Sequence, residues 1–168
     1  PADCHSCDPA WGTQDHLGHG TQMGGLALYG DLTPVLVSTH GVTLRHRLES
    51  VKILPPHGHP VNPPDLYGAG TAEAASRAEV QAPKRRRIFS MSISATDKRD
   101  RGQPTSWSAA IDALAAGRSF DPSTHGLVYF GSGDDSARRL FVLCAGNINA
   151  LALAVEHLDR SDTDPIHD

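Results

Sequence analysis

Short, continuously apolar runs alternating with helical patterns predict an α/β fold, a three-layer α/β/α arrangement around a mostly parallel sheet. Two observations carry that expectation. Residues 140–145 are apolar without alternation, as in a strand covered on both faces, and residues 106–117 place apolar side chains at helical spacing between two such runs. In sheets of this kind ligands bind beyond the carboxyl ends of the strands, so those ends are where chemistry is to be sought.

Residues 1–18 are polar, rich in Gly, Pro and Asp and without a period, and are expected to be loop. A helix is expected over residues 21–32, where Met23, Leu26, Ala27 and Leu28 form an apolar face. Gly24 and Gly25 within it allow another backbone to approach, so this helix is expected to be buried and tightly packed. Strands are expected at 35–38 and 49–54, the second stopped by Pro55 and Pro56, with loop over 55–64. Alanine-rich composition predicts a helix over 71–80, and residues 88–93 read as a strand with hydroxyl side chains interleaved. Ser106 is placed to cap a helix whose Trp107, Ile111 and Leu114 fall at i, i+4 and i+7 and which ends at Gly117. Apolar runs at 127–130 and 140–145 and a final helix over 150–158 complete the pattern.

A chain of 168 residues has room for one domain, or most of one, with a core that is aliphatic, since aromatic residues make up only 5%. The net charge of −4 offers no electrostatic platform for nucleic acid. The one basic run, Lys84 to Arg87, precedes an apolar strand and is expected to be a solvated loop. No apolar run approaches the roughly 20 residues of a membrane span, so no membrane partner is expected. Three cysteines cannot form a disulfide framework. Cys4 and Cys7 have the C-x-x-C spacing of a zinc pair, but no second pair follows and His57-Gly58-His59 is a poor continuation, so neither metal nor cofactor is expected.

Two segments suggest chemistry. In Asp15-His16-Leu17-Gly18-His19-Gly20-Thr21, His19 stands between two glycines at the start of a helix. A general base for serine attack needs a neutral, exposed imidazole, and the positive end of a helix disfavours the charged form. In Phe141-Val142-Leu143-Cys144-Ala145-Gly146-Asn147, a buried strand ends in small residues and then an amide whose NH2 can serve a developing oxyanion.

Together and in this order, the segments resemble the subtilisin-like serine peptidases. Residues 15–26 are similar to that family's histidine motif, 50–54 to the strand after it, 90–94 to the strand whose edge pairs with substrate, and 142–147 to its A-G-N segment. The resemblance covers about 130 residues, from Asp15 to Asn147. It implies a subtilisin-like fold, incomplete at both ends, and a serine endopeptidase with a Ser-His-Asp triad and a polypeptide substrate. His19 would be the base and Asn147 the oxyanion donor. Ser92, Ile93 and Ser94 would pair with extended substrate, and Cys144, Ala145 and Gly146 would wall the specificity pocket. Secretion is usual for such peptidases, and no calcium-binding cluster can be mapped here.

Insertions relative to a compact member are expected near 34–47, 55–65 and 117–139. Asp3 and Asp8 lack the Thr-Gly or Ser-Gly that follows the family's aspartate, and no G-T-S-x-A nucleophile segment follows Asn147. Thr105-Ser106-Trp107-Ser108-Ala109 and Gly70-Thr71-Ala72 are near misses, the first in the wrong order and the second with alanine at the serine position. With Pro1 in place of an initiator methionine, the expectation is the central part of one peptidase domain, inactive alone. The rival is a non-catalytic subtilase-like module that binds peptides.

Overall fold

The computed structural model describes residues 3–93, 104–121, 126–129 and 138–144. The chain divides into two compact units, residues 1–86 and 87–168. Helices and short strands give the α/β class, and two of the three ladders among the described residues are parallel.

In the first unit, β1 (Cys4–Ser6) runs parallel to β2 (Ser50–Lys52), with Cys4 opposite Ser50 and Ser6 opposite Lys52. The Ser50 amide donates to the Asp3 carbonyl and the Cys7 amide to the Lys52 carbonyl, both at 2.9 Å, extending the ladder at each end. The expected loop over residues 1–18 is thus corrected. Three residues are too few to display a period, and their extended form comes from the partner strand. A 3₁₀ turn, Pro9–Trp11, follows and is capped by Asp8.

The α-helix that packs on this ladder, α3 (Tyr67–Gln81), buries Thr71, Ala75 and Ala78, a stripe of small residues at i, i+4 and i+7. Small side chains let the helix lie close: a Cβ added at Gly70 would stand 4.0 Å from Ile53 Cγ1. Arginines tie the same region to the strands. Arg77 donates to the Cys7 carbonyl at 2.9 Å while pairing with Glu73 at 2.6 Å. Arg85 pairs with Asp3 at 2.6 Å and with Glu49, so the basic run is not wholly given over to solvent.

Two further helices precede β2. The first, α1 (His19–Tyr29), stops at Gly30, whose φ of 67° suits glycine and whose amide caps the Leu26 carbonyl at 2.8 Å. None of its residues is buried, contrary to expectation. Its apolar residues do not fall on one narrow stripe, and three of its positions, Gly20, Gly24 and Gly25, are glycines with no side chain to bury. Close approach does occur at Gly24, where an added Cβ would meet Leu48 Cδ2 at 2.9 Å. The second, α2 (Leu32–Val37), replaces the strand expected at 35–38. Asp31 caps it by accepting from the Thr33 amide at 2.9 Å, and Pro34 lies in the first turn, where a missing N–H costs nothing. That local signal outweighs the β preference of Val35 and Val37.

In the second unit, β3 (Ile88–Met91) runs parallel to β6 (Leu140–Leu143). Phe89 and Phe141 are register partners, and their rings stack with centroids 5.1 Å apart. An antiparallel hairpin joins β4 (Arg118–Asp121) to β5 (Gly126–Tyr129); its first strand is not foreseen from the apolar pattern. The helix α4 (Ser106–Ala115) packs against β4 and β6 through buried Ile111 and Leu114. It ends where expected, at Gly117 with φ of 78°. Its cap is Thr105 rather than Ser106: the Thr105 hydroxyl accepts the Ser108 amide at 3.1 Å, and the Ser108 hydroxyl accepts the Thr105 amide at 2.9 Å. The helix expected over 150–158 lies outside the described residues.

This cap assignment is testable by urea unfolding. Thr105→Ala should cost about 1 kcal/mol, the usual loss for a threonine cap. Ser106→Ala, one residue inside, should fall within about 0.5 kcal/mol of the unaltered chain.

Candidate functional site

His19 is the first residue of α1, and the turn before it is organised by one carboxylate. Asp15 Oδ1 accepts from the Leu17 amide at 3.1 Å and the Gly18 amide at 2.9 Å. Asp15 Oδ2 accepts from the Thr21 amide at 2.7 Å and the Thr21 hydroxyl at 2.8 Å. The cap position itself is Gly18, which has no side chain to offer and adopts φ of 80°. Asp15 therefore does for α1 what a cap residue does elsewhere, from three positions further back. The result is a closed turn with the exposed His19 at its crest.

The electrostatics follow from those bonds. The Asp15 carboxyl is held down at about 2, first by the Thr21 hydroxyl, then by the Thr21 amide, with lesser help from the Gly18 and Leu17 amides and against the opposing effect of desolvation. Each donor stabilises the charged form.

The same turn is anchored to the sheet. Lys52, the half-buried last residue of β2, donates from Nζ to the Trp11 carbonyl at 3.2 Å and to the Gln14 carbonyl at 2.9 Å. Sequence reasoning missed this residue. Its signal was a single ammonium at the end of a short strand beside Val51, Ile53 and Leu54.

In the second unit, Ser92 and Ile93 follow β3 and Cys144 follows β6, at the carboxyl ends of two parallel strands. The structure brings Ile93 and Cys144 together: the thiol donates to the Ile93 carbonyl at 3.2 Å, and the Cys144 amide to the Met91 carbonyl at 3.2 Å. Ser94, Ala145, Gly146 and Asn147 lie outside the described residues. His19 belongs to the first unit and the Ile93–Cys144 corner to the second, and each is described within its own unit.

Other candidates have local tasks. Asp8 accepts the Ala10 amide at 2.8 Å, Asp3 is paired with Arg85, and Thr71, 2% exposed, donates to the Tyr67 carbonyl at 2.8 Å. Cys7 lies against the Gly70 carbonyl at 3.8 Å, and burial pushes its thiol up to about 11, well away from thiolate chemistry. Among the described residues there is no group of three or more His, Cys, Asp or Glu side chains able to hold a metal ion.

A family model described as the subtilase family matches residues 2–168. Comparison with curated proteins and with solved structures gave no match.

Two measurements test this site. The Asp15 lock should hold fully above pH about 3.8, the ordinary value for aspartate, and be lost as pH falls through about 2. The amide NMR shifts of Gly18 and Thr21 should titrate with that low midpoint and stop doing so in Asp15→Asn. Gly18→Ala, which forces a Cβ into left-handed backbone, should cost about 1–2 kcal/mol in urea unfolding.

Proposed function

The chain belongs to the subtilase family, a family of serine peptidases, and from that premise we propose that it supplies the histidine and the oxyanion asparagine of a Ser-His-Asp endopeptidase. His19 takes the proton of the serine nucleophile as that serine attacks the scissile carbonyl, then returns it to the leaving amine. An aspartate at the other ring nitrogen holds the tautomer. Asn147 donates to the oxygen that becomes negative in the tetrahedral intermediate. Removing such a donor costs about 10²–10³ in kcat, a magnitude established on subtilisin itself.

The substrate is a polypeptide bound in extended form. Ser92, Ile93 and Ser94 offer main-chain groups to it in the manner of an added strand. Cys144, Ala145 and Gly146 form part of the pocket wall for the side chain before the cut. The observation that best supports this reading is the placement of His19: exposed, first in its helix, on a turn closed by the aspartate of its own motif. The corner where Ile93 meets Cys144 at the strand ends supports the substrate half.

On this reading the chain is the central part of a single peptidase domain, and its sequence holds neither the triad aspartate nor a G-T-S-x-A serine. Alone it has no nucleophile and is inactive.

A fluorophosphonate probe, which labels activated serine, tests the whole reading. A polypeptide containing this chain together with a G-T-S-x-A segment should label. Its His19→Ala variant should label at least about 10³-fold more slowly, and the 168-residue chain not at all. A folded polypeptide of that kind that fails to label would overturn the peptidase mechanism in favour of a peptide-binding module.

A further inference from the structure

We propose that Lys52 is a positioning residue for His19, acting through the segment that runs from Trp11 to the Asp15 lock. This rests on the reading of His19 as general base. The starting point is that α1 fully buries none of its residues, and that the contacts on its later half, Leu48 against Gly24 and His46 on the Ala27 carbonyl at 2.7 Å, lie beyond the first turn that carries the imidazole. The position of the imidazole follows the backbone of that first turn. What holds that backbone is polar, and it can be followed bond by bond.

The chain of support begins in the sheet. Lys52 is paired with Ser6 in the β1–β2 ladder, and its carbonyl accepts the Cys7 amide at 2.9 Å, so its main chain is held on one side by hydrogen bonds. Its side chain reaches the other way, to the carbonyls of Trp11 and Gln14 at 3.2 and 2.9 Å. Among the described residues Lys52 forms no ion pair: its ammonium is committed to main-chain acceptors. Bonds from a charged donor to carbonyls are stronger than neutral ones, and two of them, three residues apart, immobilise the stretch between.

Gln14 is covalently next to Asp15, whose carboxylate gathers the amides of Leu17, Gly18 and Thr21. One peptide bond therefore joins the lysine clamp to the carboxylate lock. The clamp ties the turn to the sheet, and the lock ties the turn to the helix. Without the clamp, the lock still closes the turn, but the turn is free to shift as a body and His19 shifts with it. Displacement of a catalytic group by about 1 Å costs on the order of 10²-fold in rate. Lys52 reaches His19 only through this segment, which makes it a positioning residue and predicts an effect on turnover rather than on substrate binding.

The test uses Lys52→Met, which keeps the apolar stem and removes the ammonium, and Lys52→Arg, which keeps a charged donor. In an active polypeptide containing this chain, Lys52→Met should lower kcat by about 10²-fold with KM within about twofold, and Lys52→Arg should recover at least about tenfold of that loss. In the 168-residue chain, NMR supplies a readout independent of activity. The His19 ring signal should collapse towards that of free histidine in Lys52→Met, while the amide signals of Cys4, His5 and Val51 keep their positions. Unchanged kcat and ring signal in Lys52→Met, beside an inactive His19→Ala, would overturn the proposal and leave the general-base reading intact. A full rate in His19→Ala would instead overturn the general-base reading. Loss of the β1 and β2 amide signals in both Lys52 variants would show a merely structural role and also overturn the proposal.

Discussion

A carboxylate that accepts from three amides and a hydroxyl is the interaction on which the histidine-bearing half of this chain depends. Helices usually start where a side chain at the cap position takes up an orphan N–H. Here the cap is a glycine, so the acceptor has to come from elsewhere, and Asp15 folds back over the turn to provide it. The glycine is what makes the fold-back possible, because left-handed backbone at Gly18 reverses the chain within one residue. Asp15 is exposed, and water and salt weaken the energetic worth of its bonds. Their value is directional: two oxygens with opposed donors define a single arrangement of the residues between them.

The Ile93–Cys144 corner of the second unit rests on a parallel ladder rather than on a turn. Phe89 against Phe141 sets the register of β3 on β6, since a slip by one residue would separate the rings and turn each to the opposite face. With that register, the chain after β3 and the chain after β6 leave the sheet side by side, and Cys144 meets Ile93. Cysteine suits this corner as a small residue whose thiol gives the Ile93 carbonyl a weak donor.

Much of this was legible in the residues, and the failures have physical causes. The α3 helix announced itself by composition, and α4 by spacing and by the glycine at its end. The strand expected at 35–38 was misread because Val35 and Val37 favour extended backbone locally, while Asp31 and Pro34 start a helix just upstream. Ser106 was misread as a cap by one position, since Thr105 and Ser108 satisfy each other's amides. β1 was invisible because its conformation is imposed by a partner more than forty residues away. His19 and Cys144 are singled out by order and type alone, and the structure places the first at the start of α1 and the second directly after β6. Lys52 could not be singled out, because its role lies in two main-chain carbonyls, and these carry no sequence signature.

Parallel pairing has one awkward result at the start of the first ladder, where Asp3 and Glu49 precede paired residues and so fall next to each other. Two neighbouring carboxylates repel. Arg85 lies between them, bonded to both, and draws the Asp3 carboxyl below its usual range. A misaligned pairing would part the two acids and leave that cation with one partner. The guanidinium therefore works as an alignment key: in a ladder of three residue pairs, too brief for side-chain packing to discriminate strongly, electrostatics helps select which residue faces which.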